Sequence, residues 1–234
     1  MPGFLLINKQ QTWTSHDVVA KLRGITKIKK IGHAGTLDPF ATGLLIVGVE
    51  RAATKHLDDF HALSKKYVAT VHLGQTSTTY DPEGDLTDVD TQTVPTKEMV
   101  TTTLLNMIGA QEQLAPMYSA KKVNGQKLYD LARKGIEIER KKHSIILHDI
   151  KLLSYNYPDI SIEVTCSTGT YIRTLAHDIG QKLGVGAFCS ILERTSIGPF
   201  LLEDAKTIDK ITNDNFEDLL VSDLEFPLAK NNDQ

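Results

Sequence analysis

The sequence has only two cysteines, Cys166 and Cys189, and their spacing matches neither a metal-binding nor a redox motif. The longest apolar run, residues 44–49, is far shorter than the roughly 20 residues that cross a bilayer. Residues 1–10 have no basic stretch before the apolar residues and no small-residue cleavage site, so we predict no signal peptide. These absences favour a soluble cytoplasmic protein with two buried thiols and no membrane partner.

Motifs for nucleotide cofactors and metals are also missing. The glycines of residues 31–49 (IGHAGTLDPFATGLLIVGV) fit neither the P-loop pattern G-x-x-x-x-G-K-S/T nor the dinucleotide pattern G-x-G-x-x-G. A strand rather than a helix is expected to follow them. His33 and Asp38 are the candidate metal ligands in this stretch, and no second His/Cys cluster accompanies them. We therefore expect no cofactor and no metal.

The net charge of −3 is small, but its distribution along the chain is uneven. Residues 201–234 hold nine acidic and three basic residues, a net charge of −6, whereas residues 121–142 hold eight basic and three acidic residues, a net charge of +5. A local basic face, more than the total charge, is typical of a nucleic-acid-binding protein. A solvated surface without a partner explains the same charges equally well.

Strand and helix patterns are interspersed without strict alternation, which predicts an α+β fold with a mostly antiparallel sheet flanked by helices. We expect one domain over residues 1–200, with a basic insertion at about 110–142. Residues 201–234 then form a short acidic segment and no separate C-terminal RNA-binding domain. Strands are predicted at 4–10, 44–49, 65–74, 143–157, 160–169 and 188–198, helices at 14–27, 96–109, 126–135 and 171–184, and a loop at 76–88.

Asp38 stands in the middle of the glycine-rich stretch and is followed by Pro39. Proline fixes its own φ and biases the preceding residue towards an extended conformation. A carboxylate held on such a rigid loop is preorganised to act as a nucleophile or base. Asp-Pro also often caps a turn, and on this stretch alone that structural reading is the stronger.

Five segments closely resemble the TruB-type tRNA pseudouridine synthases, in the same order as in that family, over roughly residues 3–200. GHAGTLDPFATGLL resembles the catalytic-loop motif of that family almost residue for residue, and INKQQTWTSHDVV resembles its first motif. APMYSAKKVNGQKLYDLARKGIE resembles its RNA-gripping insertion. The segments KKYVATVHLGQTSTTYDPEGD and CSTGTYIRTLAHDIGQKLGVGA complete the resemblance.

The resemblance implies the pseudouridine synthase fold and isomerisation of a uridine at position 55, in the T-arm of tRNA. It places the catalytic aspartate at Asp38, the stacking tyrosine at Tyr67, the second tyrosine and the arginine at Tyr171 and Arg173, and the base-flipping histidine at His33. These assignments suit the chemistry. A carboxylate can stabilise or attack C1′ as the glycosidic bond breaks, and an arginine keeps that carboxylate ionised and aimed. An aromatic ring stacks on an extruded base.

Further positions are assigned through the same resemblance. Lys9 and Lys55 match basic positions of the family, and Asp81 and Leu192 match residues near the target nucleotide. Five basic side chains of the insertion are expected to contact phosphates: Lys121, Lys122, Lys127, Arg133 and Lys134.

Three features depart from the family pattern. Gln10 and Thr12 stand in a first motif that usually reads Lys-Pro-x-Gly, and Glu193 replaces a residue that is commonly basic. The third departure is that the sequence ends soon after residue 200, whereas many bacterial members carry a further RNA-binding domain.

Three functions remain open from the sequence. The first is a stand-alone, monomeric tRNA pseudouridine synthase with no obligate protein partner. The second is the RNA-guided relative of the box H/ACA ribonucleoprotein. The third is a non-catalytic chaperone that binds the tRNA T-arm. Unguided conversion of a T-arm stem-loop discriminates among them.

Asp38→Asn is expected to abolish turnover while the fold and much of the RNA binding are kept, because an amide cannot replace a carboxylate nucleophile. Single-turnover assays and RNA-binding titrations on the purified variant check this expectation. An Asn variant that still converts uridine at a substantial fraction of the wild-type rate excludes Asp38 as the nucleophile.

Overall fold

The computed structural model describes residues 2–91, 93–116, 122–123, 126–127, 140 and 142–221. Within these ranges the helices are α1 (Ser15–Thr26), α2 (Glu50–Thr54), α3 (Lys97–Leu105) and α4 (Ile172–Leu183). The strands are β1 (Gly3–Lys9), β2 (Ile31–Ala34), β3 (Thr42–Val49), β4 (Lys65–Leu73), β5 (Gln75–Ser77), β6 (Leu86–Asp88), β7 (Gly109–Leu114), β8 (Lys122–Val123), β9 (Gln126–Lys127), β10 (Lys142–Asn156), β11 (Asp159–Cys166), β12 (Ala187–Ile197), β13 (Phe200–Leu201) and β14 (Lys206–Thr207). Short 3₁₀ turns span Leu57–Phe60, Leu202–Asp204 and Ile208–Lys210.

One large sheet organises the described residues. Its strand order is β14-β1-β3-β12-β4-β11-β10-β7, with β2 added beside β3 and β13 beside β12. Among the described pairings, β1 with β14 and β3 with β12 run parallel, and the other strand pairs of this sheet run antiparallel. The predicted α+β class with a mostly antiparallel sheet is therefore confirmed.

The helices cover the apolar faces of this sheet as their sequence patterns predict. Helix α1 begins with a capping box, in which the Thr14 hydroxyl accepts from the Asp17 N–H at 3.0 Å, and it buries Val18, Val19 and Leu22 against β1 and β3. Strand β4 alternates buried and half-buried residues along its whole length. Both cysteines are buried and unpaired, as expected. No helix among the described residues is long and apolar enough to cross a membrane.

Three local predictions were wrong or only partly right. Residues 76–88 were expected to be a loop, but their ends pair as β5 and β6 around a polar turn. Helix α3 was expected to extend to Gly109 but ends at Leu105, and Gly109, with a φ of 112°, begins β7. Residues 126–127 pair with β8 as strand β9, where the start of a helix was predicted. The remainder of that predicted helix lies outside the described residues.

The basic insertion leaves and rejoins the sheet at two neighbouring strands. Strand β7, at residues 109–114, pairs with the beginning of β10, so that Leu114 lies opposite Lys142. A hydrogen bond of 2.9 Å from Arg140 Nη1 to the Ala115 carbonyl also joins the two ends. Residues 109–114 thus belong to the central sheet, and the insertion begins after them.

Helix α4 lies so close to β12 that its one inner glycine is enclosed. A Cβ atom built on Gly180 would come within 2.3 Å of the Ala187 nitrogen. This close approach sets the depth at which α4, and with it Arg173, lies against the sheet.

Gly180→Ala is expected to lower the free energy of unfolding by about 1–3 kcal/mol, because the added methyl forces backbone apart. Gly24→Ala is the matched control, since Gly24 also lies inside a helix but a Cβ atom added there would meet nothing within 4 Å. The control should raise stability by about 0.5–1 kcal/mol. Urea denaturation of both variants measures the difference, and equal shifts would contradict the packing described above.

Candidate active site

The loop that carries Asp38 connects β2 to β3 and is held by its own turn and by α1. The Ala41 N–H donates to the Asp38 carbonyl at 3.1 Å, which closes a turn with Pro39 at its second position. The hydroxyl of Ser15 accepts from the Leu37 N–H at 2.9 Å and donates to the Leu37 carbonyl at 3.3 Å. The glycine-rich stretch is therefore a fixed platform in this structure.

A buried lysine lies beneath the same loop. Lys9 is 1% exposed, and its ammonium donates to the carbonyls of Gln10, Trp13 and Pro39 at 3.0, 2.7 and 3.4 Å. Burial lowers the pKa of Lys9 to about 8. Lys9 was predicted to bind substrate, but the structure places it inside the protein, where its hydrogen bonds hold the loop next to Asp38.

One of the two departures in the first motif adopts a backbone conformation that favours glycine. Thr12 has a φ of 71°, in the left-handed region that favours glycine, and its N–H donates to the Pro39 carbonyl at 2.8 Å. Gln10 is exposed. Glu193 is half-buried on β12, opposite Thr42 of β3.

Arg173 joins two carboxylates that are far apart in the sequence. Its Nε lies 2.9 Å from Asp38 Oδ2, and its Nη2 donates to Asp38 Oδ1 at 3.1 Å. On its other side, Nη1 donates to Asp81 Oδ2 at 2.8 Å and to the Thr79 carbonyl at 3.1 Å. Arg173 and Asp81 are 3% and 2% exposed, whereas the side chain of Asp38 is 34% exposed. Asp38 is therefore the member of this trio that reaches the solvent.

The Asp38 side chain forms the ion pair with Arg173, and the Asp38 backbone carbonyl accepts the hydrogen bond from Ala41 that closes the turn. Burial raises the pKa of Asp38 above its usual value, the charge of Arg173 lowers it, and the nearby charge of Asp81 raises it again. Asp81 itself is anchored by the Thr79 hydroxyl and by the Glu83 N–H, at 2.5 and 3.0 Å from its Oδ1.

A cleft of about 320 Å³ opens beside Asp38. Five of the predicted residues line it: Asp38, Tyr67, Tyr171, Arg173 and Leu192. Its wall also includes residues 167–170, which precede α4 and carry hydroxyl side chains and a glycine. These five residues come from four elements that are distant in the sequence, and they bring a carboxylate, two aromatic rings, a guanidinium and an apolar side chain to a single cavity.

Tyr67 lines the cleft and is 9% exposed. Burial raises the pKa of its phenol, so its hydroxyl is neutral at pH 7, while the charge of Arg194 and a hydrogen bond with that side chain act in the opposite direction. Tyr67 lies opposite Arg194 in the pairing of β4 with β12. A neutral hydroxyl at this position can both donate and accept a hydrogen bond.

Arg194 is a residue of the cleft that the sequence reasoning missed. It is 1% exposed, and its guanidinium donates to the carbonyls of Leu44 and Gly35 at 2.7 and 2.9 Å. A Cβ atom on Gly43, which has a φ of 103°, would lie 2.4 Å from the Arg194 carbonyl. Arg194 therefore ties together the two ends of the loop that carries Asp38, and the glycine allows the close approach.

A second missed residue is Lys65, which also lines the cleft. Its ammonium donates to the carbonyls of Phe60, His61 and Leu63 at 3.3, 2.7 and 2.6 Å, and burial lowers its pKa to about 8. The available signal for Lys65 and Arg194 was a charged residue on a predicted strand, which is unusual in a core and requires local partners.

Among the other predicted residues, His33 and Lys55 do not line this cavity. His33 is half-buried on β2, and burial lowers its pKa, so the imidazole is neutral at pH 7. Lys55 is exposed at the end of α2. Lys122 and Lys127 lie opposite each other in the β8–β9 pair. Lys121, Arg133 and Lys134 lie outside the described residues. No group of three or more His, Cys, Asp or Glu residues suited to a metal ion occurs in the described ranges.

Comparison of this fold with solved structures identifies the class of protein. Among solved structures, a Cbf5-Nop10-Gar1 complex contains a chain that superimposes with a TM-score of 0.71 at 30% identity, covering 92% of this chain and 54% of that one. An H/ACA RNP bound to a substrate RNA containing 2′-deoxyuridine gives a TM-score of 0.67 at 29% identity, covering 92% and 53%. This chain thus spans about half the length of those proteins, and it has the pseudouridine synthase fold.

Sequence comparison identifies the family within that class. The family model of the TruB family pseudouridylate synthase N-terminal domain matches residues 23–172, and that of the tRNA pseudouridylate synthase B C-terminal domain matches residues 173–223. The chain belongs to the TruB family. The tRNA pseudouridine synthase B of Protochlamydia amoebophila is 47% identical over 87% of this chain and 77% of the relative. That of Parabacteroides distasonis is 45% identical over 88% and 90%.

Arg194→Met is expected to slow the chemical step at least tenfold and to lower stability by about 2–4 kcal/mol, because two buried carbonyls lose their donor. Arg23→Met is the matched control, since the exposed Arg23 also donates to a backbone carbonyl, that of Ile31 at 2.8 Å. Single-turnover rates and urea denaturation separate the two effects. A wild-type rate in the Arg194 variant would mean that its guanidinium does not shape the loop.

Proposed function

We propose that this chain isomerises uridine 55 in the T-arm of tRNA to pseudouridine, as a stand-alone cytoplasmic monomer without guide RNA or cofactor. The observation that carries the proposal is the ion pair of Asp38 and Arg173 in the wall of a nucleoside-sized cleft, with Asp81 buried on the other side of the guanidinium. Relatives at 45–47% identity bear the name tRNA pseudouridine synthase B, which supports tRNA as the substrate.

In the proposed reaction the target uridine leaves its helix and enters the cleft, where Tyr67 provides an aromatic face for the base. Asp38 is half-buried and is the more accessible of the two carboxylates, so it faces the sugar, and Arg173 keeps it ionised and fixes its direction. As the N1–C1′ bond breaks, the carboxylate stabilises the positive charge at C1′ or forms a covalent bond with the sugar.

The second half of the reaction joins the rotated base to the sugar again. The uracil turns within the cleft, C5 bonds to C1′, and the hydrogen on C5 is lost as a proton while N1 gains one. Nothing is added or removed overall, which agrees with a reaction that needs no oxidant, reductant or group donor. The neutral hydroxyl of Tyr67 lies in the cleft wall and suits the proton transfer from C5.

Two other functions account for part of these observations. The structural neighbours from H/ACA complexes are relatives with the same fold, and they make an RNA-guided enzyme the second candidate. A T-arm chaperone without chemistry does not require an ionised carboxylate beside an arginine in a cleft. The stand-alone enzyme is favoured because the relatives named for tRNA are more similar in sequence than the guided ones.

The experiment supplies the purified chain with a prefolded T-arm stem-loop, without guide RNA and with EDTA, and maps pseudouridine by mass spectrometry. We expect conversion of one uridine per stem-loop, and none with the Asp38→Asn control. Conversion that requires a guide RNA would instead support the H/ACA-type function. Tight binding without conversion would support the chaperone, and loss of activity restored only by a transition metal would contradict a metal-free reaction.

A further inference from the structure

We propose that Gln113 is a positioning residue for the cleft, because its carboxamide fixes the backbone of Tyr171 and thereby the start of α4. From this start, Arg173 reaches Asp38. The inference rests on the proposed function, in which Tyr171, Arg173 and Asp38 surround the target nucleotide, and it adds a residue to which no role is otherwise assigned.

The contact between Gln113 and Tyr171 uses both ends of one amide. Gln113 Nε2 donates to the Tyr171 carbonyl at 3.0 Å, and Gln113 Oε1 accepts from the Tyr171 N–H at 2.7 Å. The glutamine is 3% exposed, so neither bond competes with bulk water. A planar amide that satisfies the donor and the acceptor of one residue holds that residue as a neighbouring strand would.

The start of α4 depends on such external support. Tyr171 is the residue before the helix, and no side-chain hydrogen bond of its own caps the first turn. Helix starts usually obtain that bond from Ser, Thr, Asp or Asn. Here β7 supplies two contacts in succession, since the Thr174 hydroxyl also donates to the Leu114 carbonyl at 3.3 Å. Arg173 lies between these two fixed points.

The strand beside β7 contributes to the same support. His143 of β10 lies opposite Gln113, so both side chains project from the same face of the sheet. Its Nε2 lies 3.0 Å from the Gly169 carbonyl, and its ring meets the Tyr171 ring edge-on at 6.0 Å. Gly169 and Tyr171 both line the cleft. Strands β7 and β10 therefore hold one wall of the cleft together.

The same two strands are those from which the basic insertion departs and to which it returns. The cross-link from Arg140 to the Ala115 carbonyl closes its base one or two residues beyond Gln113 and Leu114. The base of the basic insertion, whose residues 121–142 carry a net charge of +5, thus also sets the position of Arg173. If Gln113 acts in this way, its loss lowers the rate of the chemical step more than it weakens RNA binding.

The test compares Gln113→Leu, Gln113→Glu and the control Gln111→Leu. Gln111 lies two residues earlier on the same strand and face, and its carboxamide donates to a backbone carbonyl away from the cleft, that of Met107. Steady-state kcat and KM on a T-arm stem-loop are measured with hydrogen exchange of the Tyr171 N–H and thermal unfolding. We expect Gln113→Leu to lower kcat at least tenfold with KM within threefold, and to expose the Tyr171 N–H to exchange.

The Gln113→Glu variant gives a readout that a purely structural role would not produce. An ionised carboxylate at this position can accept from the Tyr171 N–H but cannot donate to its carbonyl, whereas the protonated acid does both. Burial raises the pKa of a carboxyl here, so the kcat of Gln113→Glu relative to wild type should rise as the pH falls from 8 to 6. A pH-independent ratio would overturn the proposal, as would equal losses of kcat in Gln113→Leu and Gln111→Leu.

Failure of the proposed function is distinguishable from failure of this inference. A wild-type chain that does not convert the stem-loop contradicts the function, whatever the variants do. In that case the hydrogen-exchange result still decides whether Gln113 holds Tyr171. Unchanged protection of the Tyr171 N–H in Gln113→Leu would show that it does not.

Discussion

The shared guanidinium of Arg173 is the interaction on which the rest of the site depends. Two carboxylates and one arginine carry a net charge of −1 in a place that is mostly shielded from water. Desolvation of such charges is expensive, and each is tolerated because the others compensate it. Asp81 is completely buried and holds the far side of the guanidinium, which leaves Nε and Nη2 for Asp38. The reactive carboxylate thereby gains a direction as well as a partner.

The sheet positions Asp38, Arg173 and Asp81 through the parallel pairing of β3 with β12, which lies beside the cleft. Strands β3 and β12 meet at Thr42 and Gly43, where the loop from Asp38 enters the sheet. Arg194 lies at that junction and holds both ends of the loop, while Lys9 holds it from below through the Pro39 carbonyl. These buried cations thus serve two purposes. Arg173 keeps the Asp38 carboxylate ionised and fixes its orientation, and Arg194 and Lys9 fix the backbone of the loop that carries Asp38.

Much of the fold followed from residue patterns, because the alternation in β4 and the helical spacing in α1 and α4 are strong local signals. The short strands β5 and β6 were not predicted, because their residues are mostly polar and their pairing depends on tertiary contacts. In the site, motif resemblance located Asp38, Tyr67, Tyr171 and Arg173 but could not give the burial of Lys9. Arg194 and Gln113 were missed because their roles are hydrogen bonds to backbone atoms. A charge on a predicted strand marked Arg194 as unusual, but it does not indicate which carbonyls the guanidinium contacts.

Asp38 acts as an ionised carboxylate whose pKa is raised by burial, lowered by the charge of Arg173 and raised again by the charge of Asp81. The measurement is the pH dependence of the single-turnover rate for wild type and for Asp81→Asn. Activity should fall as the pH drops through the pKa of Asp38, which burial raises above its usual value. Removing the charge of Asp81 lowers that pKa, so the acid limb of the variant should move to lower pH, although its maximal rate falls. An acid limb that stays in place or moves to higher pH would contradict the account.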